Sequence, residues 1–182
     1  MFVVKIMKSF IALILVILIS ACSESNPNVT SKQKGDTADA LVQVQLYKEA
    51  NSLYEVGDVL GAVTKLELAV EMGDIHSKEL LGFLLLREPE VTNINRGFAL
   101  VTKAAESGLA SAQFYLGSCL YDDGCGIPEN KTLSAYWLAR AKQGGESGAD
   151  MLLGFLQEEL DSLHISDSQY QSARDSYQKQ LN

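Results

Sequence analysis

Reactive side chains are in short supply in this 182-residue sequence. It holds two histidines, three cysteines, three prolines and one tryptophan. His76 and His164 stand in no nucleophile or metal motif, and a metal site needs several ligands at turn or helical spacing. No segment reads as a β-strand, so no glycine-rich phosphate loop can follow one. The sequence therefore offers no catalytic residue, no metal, no cofactor and no evident small-molecule substrate. Positive charge is also the minority, with 15 Lys and Arg against 23 Asp and Glu, leaving −8. Such a chain repels nucleic acid and does not adhere broadly to anionic lipid heads. Scarce proline and abundant Ala, Leu, Glu and Lys favour helix. An apolar share of 47% with 21% charged residues excludes wholesale disorder.

What is present begins at the N-terminus. Residues 1–8 carry Lys5 and Lys8 and no acid, residues 10–19 are apolar, and Ser20 and Ala21 are small. That order is a secretory signal, and its apolar run is too short for a membrane-spanning helix of about 20 residues. Ile19-Ser20-Ala21-Cys22 resembles the bacterial lipobox. The resemblance implies removal of residues 1–21, diacylglyceryl transfer to the Cys22 sulfur and acylation, as by palmitate, of its new amino group. Two or more acyl chains anchor stably, since each buried methylene adds about 0.8 kcal/mol. The mature form would be two charges more negative than the whole chain. Its expected place is the cell envelope, facing the periplasm. Ser23 at the position after the cysteine, where Asp would mark inner-membrane retention, favours the outer membrane. Residues 22–37 have almost no large apolar side chain and read as a flexible tether spanning on the order of 20 Å.

Beyond it the chain repeats. Gly73, Gly108 and Gly145 follow apolar helical stretches, and Gly82, Gly117 and Gly154 each follow a Leu inside the next one. Both sets shift together, by 35 and then by 37 residues. The first set suits left-handed helix caps. The second lies inside helices, where glycine costs up to about 1 kcal/mol against Ala. A cost repeated in register points to a close helix crossing that a Cβ would obstruct. Helices are expected near 38–56, 59–72, 75–86, 95–107, 110–122, 131–143, 147–161 and 166–181. The last is polar, with only Tyr170, Ala173 and Tyr177 as an apolar stripe, and suits the exposed end of a stack.

Ala112, Leu116-Gly117, Tyr121, Gly124-Cys125-Gly126-Ile127-Pro128, Trp137, Ala141 and Gly145 resemble the Sel-one-like repeat, a relative of the tetratricopeptide repeat. The unit before it lacks the Gly-x-Gly turn across 86–95, so its loop should differ. The resemblance implies an all-α, right-handed α-α solenoid of about three and a half helix pairs over 38–182, ending in a capping helix. It also implies a non-catalytic role in binding another protein, as adaptor, regulator or immunity-type inhibitor of a secreted effector, with an envelope scaffold as the alternative. The partner itself is unidentified. In such solenoids the first helix of each pair lines the concave face. The register then nominates Tyr47, Asn51, Tyr54, Glu79, Phe83, Phe114, Tyr121, Met151 and Phe155 as a groove rich in aromatic residues. Packing between helices is the competing fate of each. Setting Cys22 aside leaves Cys119 and Cys125, an even pair in an oxidising compartment. Glycines on both sides of Cys125 let the chain fold back, so a local disulfide is expected, with two thiols pointing apart as the alternative.

Overall fold

The computed structural model describes residues 27–160 and 165–181. Among them are eight α-helices and one short 3-10 turn, and no strand. The helices are α1 (Pro27–Glu55), α2 (Val59–Glu71), α3 (Ile75–Arg87), α4 (Ile94–Glu106), α5 (Ala110–Tyr121), α6 (Lys131–Gln143), α7 (Gly148–Glu159) and α8 (Asp167–Leu181). Residues up to Leu41 and Val42–Asn182 form separate units. Within the second, α1 and α2, α3 and α4, and α5 and α6 make successive pairs, and each helix from α1 to α6 packs on the next. No helix of the described residues is long and apolar enough to cross a membrane. The signal residues 1–21 and Cys22 lie outside the described residues.

One boundary departs from expectation. Helix α1 begins at Pro27, not near residue 38, so most of the expected coil is helical. Proline is tolerated at the first helical position, where its missing N–H would be unsatisfied anyway. The good helix formers Lys32, Gln33 and Lys34 carry the turn past Gly35. Compositional polarity excludes a core, but it does not exclude a helix.

Local chemistry ends and starts the helices where the repeat says it should. Gly57, Gly73, Gly108 and Gly145 have φ of 84°, 95°, 92° and 95°, the left-handed region that closes a helix. The following residues donate back in register, as in Asp74 N–H to Ala69 O (3.0 Å) and Glu146 N–H to Ala141 O (3.0 Å). At the other ends, Asp58, Asp74, Asn93 and Asn130 accept from the N–H three residues on. The two inter-helix loops differ as expected, one having a 3-10 turn at Asp123–Cys125. Both nonetheless dock their capping Asn alike, Asn93 N–H on Leu85 O (2.9 Å) and Asn130 N–H on Leu120 O (2.8 Å).

A single stripe drives the pairing. Ala62, Leu66 and Ala69 of α2 align with Gly97, Val101 and Ala104 of α4, and with Ser134, Leu138 and Ala141 of α6. All nine are buried. A Cβ placed on Gly82 would lie 2.6 Å from Val101 Cγ2 and 3.0 Å from the Gly97 carbonyl oxygen. One on Gly117 would lie 2.7 Å from Leu138 Cγ. The close-crossing explanation therefore holds at both. Ser134 Oγ seals the second crossing by donating to the Gly117 carbonyl at 2.7 Å. Gly154 corrects the expectation. A Cβ there would meet nothing within 4 Å.

The missing neighbour explains why. Helix α8 does not cover the open side of α7 as an end cap. It lies against α4 and α6, with Tyr170 stacked on Tyr136 (4.0 Å between centroids, 10° between planes) and edge-on to Trp137. Tyr177 meets Phe98 at 5.7 Å, and its hydroxyl donates to the Pro128 carbonyl. Arg174 pairs with Glu106 at 3.1 Å. Ser166, Tyr170 and Ala173 repeat the spacing of the pairing stripe, but with tyrosine at its aliphatic place. A phenol ring is too large for a glycine notch, and two aromatic partners, Tyr136 and Trp137, await it on α6.

Cys119 and Cys125 are bridged, with S–S 2.02 Å and Cα–Cα 5.3 Å. The bridge ties the end of α5 to the 3-10 turn and is almost fully buried. Removing it by Cys125→Ser is expected to cost about 2 kcal/mol, the loop-closure value for so short a separation. Urea unfolding of the two proteins measures it, and an unchanged midpoint would count against a stabilising bridge.

Candidate protein-binding surface

The first helices of the pairs carry the residues nominated from sequence, and most of them pack. Tyr54, Phe83 and Tyr115 form a row across α1, α3 and α5, at 6.5 Å and 5.3 Å between centroids. The Tyr54 hydroxyl donates to Glu88 Oε1 at 2.8 Å, which holds its pKa above the usual value. Tyr115 was not among the nominated residues. It sits two places before Gly117, off the stripe that the register argument followed, and only its neighbour in three dimensions reveals it. Burial pushes its hydroxyl up to about 12. That hydroxyl lies 3.9 Å from Cys125 Sγ, and because the sulfur is bridged, the phenol must be the donor.

Tyr47 tilts against His76 at 6.0 Å, and the imidazole is exposed. Asn51 is half-buried and turns its amide back to the Tyr47 carbonyl at 3.2 Å, so it presents little to a partner. Glu79 is half-buried between α3 and α5. Desolvation raises its pKa, opposed by a hydrogen bond from Ser111 and by His76, while Glu146 adds to the rise. Phe114 packs against the start of α7, where a Cβ on Gly148 would meet its ring at 2.9 Å. Tyr121 is covered by Lys131, whose Nζ lies 4.0 Å from the ring centroid and donates to the Tyr121 carbonyl at 2.7 Å. His164 lies outside the described residues.

Met151 and Phe155 differ from all of these. They are 63% and 50% exposed on α7, beside the open Gly154. Their register equivalents in α3 are Glu79 and Phe83, each half-buried by the next first helix. After α7 no such helix follows among the described residues. The nominated residues are therefore one packed row with an exposed end, not a uniformly open groove. Elsewhere, a groove of about 450 Å³ between α1 and α2 is lined by Gln45, Lys48, Glu49, Ser52, Leu53 and Lys65, with Lys65 and Glu49 paired at 2.7 Å. None of these is a nominated residue. Among the described residues, no three His, Cys, Asp or Glu side chains gather as metal ligands.

Solved structures share this arrangement. A protective antigen of uropathogenic Escherichia coli strains, described as displaying an SLR fold, superposes with a TM-score of 0.60 at 21% identity over 76% of this chain. A Sel1 repeat protein from Oxalobacter formigenes superposes at 0.53 and 19% identity, covering 70% of this chain and 97% of its own. The chain has the Sel-one-like repeat fold. It spans only 30% of the length of the first of these. Neither a family model nor a curated protein matches the sequence. Sel-one-like solenoids commonly serve protein interaction, and the exposed end of the first-helix row has apolar surface to spare. Large apolar side chains are also exposed on and between α1 and α2, among them Val56, Leu60 and Leu68.

Proposed function

We propose that the chain is a non-catalytic envelope lipoprotein, held by acyl chains on Cys22, that binds another protein through the exposed end of its Sel-one-like solenoid. The observation that carries this reading is the exposure of Met151 and Phe155 on α7. Large apolar side chains left beside an open helix notch favour association, because burying each contributes about 1.5–3 kcal/mol. A bridge at Cys119–Cys125 supports an oxidising compartment, and the signal and lipobox support export. Within that role, adaptor, regulator and inhibitor of a secreted effector share the same surface, and Ser23 after the cysteine favours outer-membrane attachment.

The test is made in cells of the source bacterium. A photo-crosslinking amino acid at Phe155 is expected to give one discrete adduct in the envelope fraction, and the same group at exposed Thr64 on α2 none. Cys22→Ser should release the protein from membranes and abolish palmitate incorporation. Equal adducts at both positions would defeat the proposed surface, and membrane retention without labelling would defeat the anchor.

A further inference from the structure

Among the described residues Gly82 and Gly117 each receive a following helix, and Gly154 receives none. This asymmetry specifies what would fit. At the two filled crossings the incoming helix carries a small residue, then an aliphatic four places on, then Ala three further: Gly97, Val101 and Ala104, or Ser134, Leu138 and Ala141. The aliphatic tip enters the glycine notch, within 3 Å of where a Cβ would stand. At Gly154 the same notch is open, and Met151 and Phe155 flank it.

The charge around the notch narrows the choice. Asp150 and Glu158 stand one turn to either side of Gly154, and Glu159 follows. Asp150 pairs with Lys142 at 2.5 Å, both side chains exposed. The chain's own solution at the equivalent crossing is α6, whose thirteen residues include Lys131, Arg140 and Lys142 and no acid. A second copy of this chain fits poorly. The stripes of α2, α4 and α6 are buried in their own pairs, α8 presents tyrosine, and two α7 faces would set acids against acids.

We infer that the open side of α7 docks an amphipathic helix from another protein, one with a small-x3-aliphatic-x2-Ala stripe flanked by Lys or Arg, and that it does so by completing the fourth helix pair. This rests on the protein-binding reading above and names the chemistry of the partner.

The probe is a fluorescein-labelled synthetic peptide with the sequence of residues 131–144, titrated into the full-length chain in detergent. Saturable binding is expected, weakened at least tenfold by Gly154→Val and by Leu138→Asp in the peptide. A Cβ at Gly154 meets nothing, so the thermal midpoint of the Gly154→Val protein should be no lower than that of the parent. No binding, or binding that ignores Gly154→Val, overturns the inference. So does a dimer of the chain in sedimentation that Gly154→Val dissolves, which would make a second copy the occupant. If the peptide fails while the Phe155 adduct still forms in cells, the helix is wrong and the protein-binding surface stands.

Discussion

The same substitution is expected to give opposite results at three glycines of one register. Gly82→Leu and Gly117→Leu should each lower stability by about 3 kcal/mol, at the upper end of overpacking costs. For a chain of this size that is a fall of about 10 °C in thermal midpoint. Gly154→Leu should leave the midpoint unchanged or raise it, since leucine gains up to about 1 kcal/mol of helix propensity over glycine. The difference lies in what surrounds each Cβ. At Gly82 the obstacles include the Gly97 carbonyl oxygen and the Val101 nitrogen, both 3.0 Å away, so α3 and α4 must part. At Gly117 the Leu138 side chain is 2.7 Å away and its nitrogen 3.2 Å, and Ser134 would lose its bond to the Gly117 carbonyl. A buried carbonyl left without that partner adds to the loss. Thermal melts followed by circular dichroism measure all three. A Gly154→Leu protein as damaged as Gly117→Leu would mean that something covers α7 in the intact molecule.

These glycines also show how far the sequence could be read. Spacing alone placed Gly82 and Gly117 at close crossings, because a destabilising residue recurring in register needs a packing reason. The same logic failed at Gly154, because periodicity records an ancestral or repeated pattern and not whether the neighbour is present. The fate of α8 was hidden for a related reason. Its stripe matches the pairing stripe in spacing, and only the size of Tyr170 and the presence of Tyr136 and Trp137 decide that it turns elsewhere. Caps and helix ends were legible because Gly, Asp and Asn act locally. The binding residues were the least legible. First-helix positions alternate between a partner-facing and a neighbour-facing fate over a rotation of one residue: of the nominated residues Phe83 and Phe114 pack while Met151 and Phe155 stay exposed, and Tyr115, off the nominated stripe, joins the packed row.

The packing of α8 has a consequence at high pH. Burial pushes the hydroxyls of Tyr170 and Tyr177 up to about 12, with the nearby Glu106 carboxylate adding to the rise at Tyr170. In the unfolded chain both ionise near 10. Between those values the unfolded state binds fewer protons than the folded one, so stability falls as pH rises. The contribution is fully present below about 10 and is lost through 12. A gap of two units corresponds to roughly 2–3 kcal/mol per tyrosine, so the pair should remove about 4 kcal/mol or more by pH 12. Both residues sit on α8, and an ionised Tyr177 cannot donate to the Pro128 carbonyl. Helix α8 is therefore expected to detach first, ahead of the helix pairs. Trp137 is the only tryptophan and lies 5.3 Å from the Tyr170 ring, so its emission maximum should move to longer wavelength between pH 10 and 12 while helical ellipticity is largely kept. Phenylalanine at both positions cannot ionise, so the double variant Tyr170→Phe, Tyr177→Phe should flatten the alkaline slope even if its stability at pH 8 is lower. A slope unaltered by the double substitution would locate the alkaline weakness elsewhere, with Tyr115 as the next buried phenol to test.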